Sequence, residues 1–206
     1  MARLTFTAAD ITKMKLSSGL GHLSWSNARL ETVKRKIKDH HLERQEDCCC
    51  YCNRNFYGEF RMVIDIEHII PKSECLPHIF TQKNLSVACK RCNMNIKKAD
   101  LRFLTTALNL LPNRLFKSKY YKFIHPNLDN YDSHLMLYSV QQGRKKLIKY
   151  NVVNESAKGK FTFEYFKLRR LELNSFDLAQ DATERVEVNE PDIGVQFDHL
   201  VSLLNS

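Results

Sequence analysis

The chain has 206 residues and a formal net charge of +9, and 43% of its residues are apolar. This length suits one elaborated domain or two small ones, with enough apolar residues for a hydrophobic core. Residues 1–150 carry 26 Lys and Arg against 13 Asp and Glu, whereas residues 151–206 carry 6 against 10. A basic body with an acidic end suits a polyanionic partner, although an ordinary solvated surface explains the charge about equally well.

The sequence contains no apolar run that would serve as a signal peptide or as a membrane-spanning helix. Of its seven cysteines, four fall into two Cys-x-x-Cys pairs. That spacing is typical of a tetrahedral zinc site rather than of disulfides. We therefore expect a soluble protein in a reducing cytoplasm.

Residues 1–45 are predicted to form an N-terminal helical region. Thr7 and Asp10 have the spacing of a capping box, which begins a short helix. Ser26 or Asn27 is expected to cap a second helix that continues to about His41, because apolar residues recur at helical spacing. The other face of this second helix is basic and could lie along phosphates or simply face solvent; it carries Arg29, Lys34, Arg35, Lys36 and Lys38.

Residues 46–112 are predicted to form the central module, with the order strand, long loop, strand and helix. Residues 61–66 and 85–88 have strand composition. The segment from Asn93 has helical spacing through Leu108, and Pro112 is expected to end it.

Residues 113–206 are predicted to form a C-terminal elaboration. Residues 134–140 and 146–152 read as a hairpin, and a helix is expected from about Glu164. Residues 172–206 are acidic with an apolar end, which could be a frayed tail or a docking segment. The whole chain is thus predicted to belong to the α+β class.

The two Cys-x-x-Cys pairs are predicted to hold one structural Zn²⁺. A two-residue spacing lets both sulfurs of a turn point the same way, and 36 residues separate the pairs. Four thiolates leave no open position on the metal, so the site is expected to be structural. The alternative is a set of buried, unpaired thiols. The four expected ligands are Cys49, Cys52, Cys89 and Cys92.

The residues between and beside these pairs resemble the HNH endonucleases, also called ββα-metal or His-Me finger nucleases. The matching elements agree in order and spacing over about 50 residues: Cys49-x-Tyr51-Cys52, Glu67-His68-Ile69-Ile70-Pro71, Asn84-Leu85, Cys89-x-x-Cys92-Asn93 and Lys97. The resemblance implies a zinc-bound finger with a catalytic cation. It departs from the commonest family pattern in having Glu67 before the histidine and Asn93 at the third position.

The resemblance implies a role for each of these residues in hydrolysing phosphodiester bonds. His68 would take the proton of the attacking water, because a neutral imidazole can do so near pH 7. Glu67 and Asn93 would hold Mg²⁺ or Mn²⁺, which would neutralise charge on the phosphate. Asn84 would fix the loop that carries His68, and Asp65 could add a ligand because it shares strand parity with Glu67.

Three basic residues near the second cysteine pair are expected to contact nucleic acid: Arg91, Lys97 and Lys98. The expected substrate is DNA, and RNA stays possible because backbone contacts carry little base information. The first rival is a zinc-bound nucleic-acid-binding module without catalysis. The second rival is an adaptor with a vestigial finger.

The region after the finger carries a looser second resemblance, through His125-Pro126, Asp129, Tyr131, the hairpin and the acidic tail. It is similar to HNH proteins encoded beside ATPases in bacterial anti-phage systems of the Septu and retron-associated kind. This resemblance implies an ATPase partner, invader DNA as substrate and an antiviral role. His125 itself reads as a turn residue that could have a functional role.

Overall fold

The computed structural model describes residues 4–111 and 115–175, and these ranges form a mixed α/β structure with two small sheets. No helix among them is long and apolar enough to cross a membrane. In chain order, the main elements are α1 (Ala8–Gly19), α2 (Glu31–Arg44), β1 (Ile64–His68), β2 (Leu85–Cys89), a π-helix (Arg91–Lys97), β3 (Leu135–Gln142), β4 (Lys145–Val152), α3 (Ala157–Tyr165) and β5 (Leu173–Asn174).

The first helix begins at the cap that the sequence predicts, whereas α2 begins at Glu31, after a 3₁₀ turn that Asn27 caps. The Thr7 hydroxyl accepts the backbone N–H of Asp10 at 3.2 Å, and the Asp10 carboxylate accepts the backbone N–H of Thr7 at 3.0 Å. The Asn27 side chain accepts the N–H of Arg29 and starts the turn that leads into α2. Lys36 then ties the two helices together through an ion pair of 2.6 Å with Asp10.

The apolar stripe of α2 covers one face of the β1–β2 pair. Leu30, Val33 and Ile37 are buried at helical spacing and form a cluster with Leu85 of β2. Each of these side chains has almost no exposed surface, so the helix is held by burial of its apolar face rather than by local propensity alone. This packing leaves the polar face of α2 beside the start of β1, where the Lys38 ammonium donates to the Ile64 carbonyl at 2.7 Å.

β1 and β2 are antiparallel, with Asp65 opposite Ala88 and His68 opposite Leu85. The π-helix follows β2 directly, so the module has the expected order of strand, strand and helix. Asp65 and Glu67 are alternate residues of β1 and therefore share one face of the pair. His68, the last residue of β1, has the opposite parity, and its ring packs against Trp25.

Two predicted boundaries in this module are wrong. The strand predicted over residues 61–66 begins at Ile64, because Arg61–Val63 forms a 3₁₀ turn instead. The helix predicted to run from Asn93 through Leu108 ends at Lys97. Lys98 adopts a left-handed φ of 53° and donates its N–H to the Asn93 carbonyl, which stops the helix. The expected stop at Pro112 lies outside the described residues.

The helix in the C-terminal region also begins at a different residue from the one predicted. α3 begins at Ala157 rather than near Glu164, because the Ser156 hydroxyl accepts the N–H of Gly159 and caps it. Lys167 adopts a left-handed φ of 51° shortly after the helix ends. The predicted hairpin is confirmed by the antiparallel pairing of β3 with β4. Of the acidic segment predicted over residues 172–206, the structure describes residues 172–175, which contain β5 paired with β4; residues 176–206 lie outside the described part of the chain.

The C-terminal elaboration packs directly on the cysteine-rich module. The Tyr131 hydroxyl donates to the Tyr51 carbonyl at 3.2 Å, and the Tyr150 hydroxyl donates to the Cys52 carbonyl at 2.6 Å. One hydrophobic core contains residues from both regions, including Phe123 and the cysteines themselves. The residues on either side of position 112 therefore share a core in the described part of the chain.

His41→Leu is expected to raise the melting temperature and to weaken the acid sensitivity of the fold. The imidazole is buried, and neither ring nitrogen has a hydrogen-bond partner. Burial, followed by the nearby His40 and Arg44, lowers the pKa of His41 to about 3. The unfolded chain therefore binds a proton that the fold does not bind, and stability falls as pH drops from about 6.5 towards 3, by up to about 1.4 kcal/mol per pH unit.

Thermal unfolding of parent and variant between pH 5.5 and 7.5 would measure this difference. The matched control is His40→Leu, which changes a half-buried imidazole on the same helix. We expect the control to keep most of the pH dependence of the parent. A His41→Leu protein that melts several degrees below the parent at pH 7.5 would contradict the prediction, because it would mean that the imidazole contributes favourable contacts.

Candidate functional site

Four cysteines form a buried cluster where the loop after α2 meets the end of β2. Their sulfur atoms all lie within 4.8 Å of one another, and this group could hold a metal ion such as zinc. Cys49 and Cys52 come from one tight turn, while Cys89 ends β2 and Cys92 lies in the first turn of the π-helix. The predicted set of four is therefore brought together in space.

One sulfur–sulfur distance in the cluster matches the spacing in a tetrahedral zinc site. Zinc–sulfur bonds of about 2.3 Å at tetrahedral angles place sulfurs about 3.8 Å apart. The Sγ atoms of Cys52 and Cys89 are 3.9 Å apart. Backbone N–H groups also point at the sulfurs: the N–H of Cys89 donates to Cys49 Sγ, and that of Cys92 donates to Cys89 Sγ. Such N–H groups stabilise negative charge on thiolates.

The remaining cysteines lie outside this cluster. Cys48, Cys50 and Cys75 are free thiols, and burial raises the pKa of each of them. Burial would also raise the pKa of Cys49, but hydrogen bonds from the neighbouring thiols lower it well below its ordinary value. Within the cluster the directions are divided, because the neighbouring thiols share hydrogen bonds: the pKa of Cys49 and of Cys89 is lowered, whereas the pKa of Cys52 and of Cys92 is raised.

Glu67 is closed inside a polar network rather than open to solvent. Its Oε1 atom lies 2.7 Å from the Lys97 ammonium and accepts a 3.0 Å hydrogen bond from the Tyr51 hydroxyl. The side chains of Glu67 and Lys97 are each only 1% exposed. Burial raises the pKa of Glu67, although Lys97 and Tyr51 act in the opposite direction. The same ammonium donates to the His68 carbonyl at 2.9 Å.

His68 holds its imidazole in a defined orientation at the end of β1. Its Nε2 atom lies 3.1 Å from the Ile79 carbonyl, which can only accept a hydrogen bond. This contact assigns the proton to Nε2 and leaves the Nδ1 lone pair available as a base. The ring packs against Trp25 in a T-shaped arrangement, with 4.5 Å between the ring centroids. Burial lowers the pKa of His68 to about 3, so the ring is neutral at pH 7.

Asn84 pins the segment that follows His68. Its side-chain oxygen accepts the N–H of Ile70 at 2.7 Å, and its amide group donates to the carbonyls of Ile70 and His78. The side chain has no exposed surface and does not line the cleft. Its contacts are those of a residue that fixes the backbone of the loop.

Asn93 lies across from Asp65 rather than from Glu67. The Asn93 amide donates to Asp65 Oδ2 at 3.1 Å, and Lys90 forms an ion pair of 3.2 Å with the other Asp65 oxygen. Asp65 is 19% exposed, and both Asp65 and Asn93 line the cleft. Two oxygen-bearing groups are thus adjacent at an open surface.

A cleft of about 830 Å³ joins these groups to a basic wall. Its lining includes Asp65, Glu67, His68 and Asn93, together with Trp25. The wall is formed by α2, by the turn before β1, by the loop after β1 and by the residue that follows the π-helix. Its cationic residues are Lys34, Arg35, Lys38, Arg61, Lys72 and Lys98. The basic face of α2 therefore adjoins the predicted catalytic residues.

The three basic residues expected to contact nucleic acid differ in their surroundings. Lys98 is exposed and lines the cleft. Lys97 is not available to contact nucleic acid, contrary to the expectation, because its ammonium is buried in an ion pair with Glu67. Arg91 points towards the C-terminal region and donates to the Lys167 carbonyl. His125 is fully buried in a turn, where its ring accepts the N–H of Asn127.

Several contacts at this site carry no signal in the sequence. The Ile79 carbonyl orients His68, but a backbone group leaves no mark on residue type. The Tyr51 hydroxyl reaches Glu67 from within the first cysteine pair, and Trp25 approaches His68 from the segment before α2. Strand parity does indicate Asp65, since it places that residue on the face of Glu67.

Comparison with models of known protein families finds no family that matches this chain. Comparison with curated proteins likewise finds no match.

Proposed function

We propose that this protein is a divalent-metal-dependent endonuclease of the HNH type that hydrolyses phosphodiester bonds in DNA. The observation that carries the proposal is the placement of His68: its unprotonated Nδ1 belongs to a residue that lines the same cleft as Asp65 and Asn93. A neutral base, oxygen ligands for a hard cation and a cationic wall together meet the chemical needs of phosphodiester hydrolysis. The ββα-metal assignment of the module is part of this proposal.

The base in this mechanism is His68. Its Nδ1 takes a proton from water, while the Ile79 carbonyl holds the Nε2–H and so stabilises the imidazolium that forms. The Lys97 contact to the His68 carbonyl and the Asn84 contacts to Ile70 hold the backbone on both sides of the ring. A bound Mg²⁺ or Mn²⁺ would supply neutralisation of charge on the phosphate and the leaving oxygen.

The four-cysteine cluster is proposed to hold the structural zinc ion. Cys49 and Cys52 connect to the end of α2, whereas Cys89 and Cys92 connect β2 to the π-helix that carries Asn93. A metal at the cluster would therefore fix the position of the π-helix relative to β1. All four sulfurs would be engaged, which leaves no ligand position on this ion for chemistry.

The decisive experiment compares cleavage of supercoiled plasmid with cleavage of a matched RNA, in Mg²⁺, in Mn²⁺ and in EDTA. We expect metal-dependent nicking of DNA by zinc-loaded protein. Cleavage of RNA alone would support the RNA-directed alternative. Tight nucleic-acid binding without cleavage in any metal would contradict the nuclease and support a binding module.

Arg35→Glu combined with Lys98→Glu is expected to weaken nucleic-acid binding by more than tenfold. Both side chains are exposed and line the cleft, Arg35 from α2 and Lys98 from the end of the π-helix. If each contacts one phosphate, the slope of log affinity against log salt should fall by about one for each lost contact. Binding of a labelled duplex at several salt concentrations would measure this slope.

Arg144→Glu combined with Lys149→Glu is the matched control, because both residues are exposed outside the cleft and the pair changes the net charge by the same amount. The control should keep the salt slope and most of the affinity of the parent. If the control loses as much affinity for nucleic acid as the variant at Arg35 and Lys98, a role for the cleft is contradicted. Such a result would indicate a general effect of net charge.

We also propose, on the second resemblance alone, that the protein acts with an ATPase partner in defence against invading DNA. Co-expression with any ATPase that is found encoded beside its gene would test this idea. Co-purification of the two proteins and cleavage that depends on the partner would support it. A nuclease that cuts fully and alone, and that does not bind that ATPase, would contradict it.

A further inference from the structure

Two carboxylates project from the same face of β1, and the π-helix gives them different partners. Asp65 meets Asn93, and one helical turn later Glu67 meets Lys97. The spacing of two residues along the strand thus matches the spacing of four residues along the helix. The Asp65 side chain is 19% exposed, whereas the Glu67 side chain is only 1% exposed.

The pair formed by Glu67 and Lys97 is a poor site for a cation. The ammonium lies 2.7 Å from Glu67 Oε1, so a divalent ion at that oxygen would meet a like charge at close range. Moving Lys97 aside would leave an ammonium buried without its counter-ion, because both side chains are 1% exposed. The Tyr51 hydroxyl occupies the same oxygen.

The pair formed by Asp65 and Asn93 is better suited to binding a cation. Its Asp65 carboxylate is 19% exposed at the cleft, beside an amide that carries a second potential oxygen ligand. The cation now paired with Asp65 is Lys90, whose side chain is 50% exposed and therefore free to move into water. Mg²⁺ keeps most of its waters and needs only one or two protein oxygens.

We propose that Asp65 and Asn93 are the protein ligands of the catalytic cation, and that Glu67 is a positioning residue. This inference rests on the proposed nuclease function. It replaces Glu67, the expected carboxylate ligand, by Asp65, which lies two residues earlier in β1. Glu67 acts through Lys97, whose ammonium binds both the Glu67 carboxylate and the His68 carbonyl. The buried pair thereby fixes the end of β1 at the residue that serves as the base.

The test compares Asp65→Asn with Glu67→Gln in the full-length, zinc-loaded protein. Mn²⁺ binding is measured by the electron paramagnetic resonance signal of free Mn²⁺, independently of any cleavage. We expect Asp65→Asn to weaken Mn²⁺ binding at least tenfold with little change in melting temperature. Glu67→Gln should keep Mn²⁺ affinity within about threefold of the parent, yet lower the melting temperature. Asp132→Asn, an exposed carboxylate outside the cleft, is the control.

The positioning role of Glu67 is tested by kinetics at a temperature where the variant is fully folded. The kcat of Glu67→Gln for plasmid nicking should be at least tenfold below that of the parent, and saturating Mn²⁺ should not restore it. Adding Lys97→Met to Glu67→Gln removes the unpaired ammonium and should recover melting temperature without recovering kcat. A folded Glu67→Gln protein with parental kcat would overturn the positioning role.

The outcomes separate this inference from the proposed function. If Glu67→Gln abolishes Mn²⁺ binding while Asp65→Asn retains it, Glu67 is the ligand and the inference is wrong. If the parent cleaves DNA but Asp65→Asn binds Mn²⁺ like the parent, the nuclease stands and the Asp65 site fails. If Asp65→Asn alone loses Mn²⁺ while the parent cleaves nothing, the metal site stands and the nuclease fails.

Discussion

His68→Ala is expected to lower the rate of plasmid nicking by about 10²- to 10⁴-fold, the usual contribution of a general base. The reason is geometric: the Ile79 carbonyl holds the Nε2–H, so the Nδ1 lone pair is the free basic nitrogen of the ring. An alanine leaves no group at this position to take the proton from water. The measurement is nicking of supercoiled plasmid in Mn²⁺ under single-turnover conditions, with the parent in parallel.

The substitution also removes a packed ring, so folding has to be measured beside activity. His68 is 7% exposed and contacts Trp25, and we expect a lower melting temperature with unchanged zinc content. His68→Asn keeps a polar side chain of smaller size and serves as a second variant. His78→Ala is the matched control, since that histidine bonds Thr81 in the nearby loop. Parental nicking rates in folded His68→Ala would show that another group is the base.

The parts of the site that the sequence predicts are those set by short-range rules. The two-residue spacing within each cysteine pair brings both sulfurs of a turn to one side, so the four candidate ligands can be named from the sequence. The sequence also predicts that Asn84 fixes the loop after His68, and its side chain bonds the backbone of Ile70. The capping box at Thr7 is likewise a local pattern with a single structural meaning.

The parts that the sequence does not predict depend on how the π-helix packs against β1. Strand parity places Asp65 and Glu67 on one face but does not say which of them meets Asn93. That choice follows from where the helix lies and from its end at Lys98, whose left-handed φ has no signal in residue type. The burial of Lys97 also escapes prediction, because lysine is almost never fully buried unless it is paired.

The basic wall illustrates the same division between local and tertiary information. Helical periodicity predicts that Lys34, Arg35 and Lys38 share the solvent face of α2. Their location beside His68 depends on the apolar stripe of the helix, which packs on Leu85 of β2. The charge is thus readable from the sequence, whereas its position next to the catalytic residues comes from tertiary packing.

Cys89→Ser is expected to lose the metal and most of the folded structure. A structural zinc ion contributes roughly 10 kcal/mol or more to the folding of a small module, which is comparable to the whole stability of a typical domain. Cys89 is also the last residue of β2, next to Ala88, which pairs with Asp65 in β1. Loss of this ligand therefore releases both the strand and the π-helix that carries Asn93.

The measurements are zinc content by elemental analysis and unfolding followed by circular dichroism, before and after incubation with a strong chelator. Cys75→Ser is the matched control, because Cys75 is a free thiol outside the cluster. It should retain one zinc ion per chain and melt within a few degrees of the parent. A folded Cys89→Ser protein that keeps its zinc would exclude Cys89 as a ligand. A parent that contains no zinc and melts identically with or without the chelator would mean that hydrophobic packing alone holds the four cysteines together.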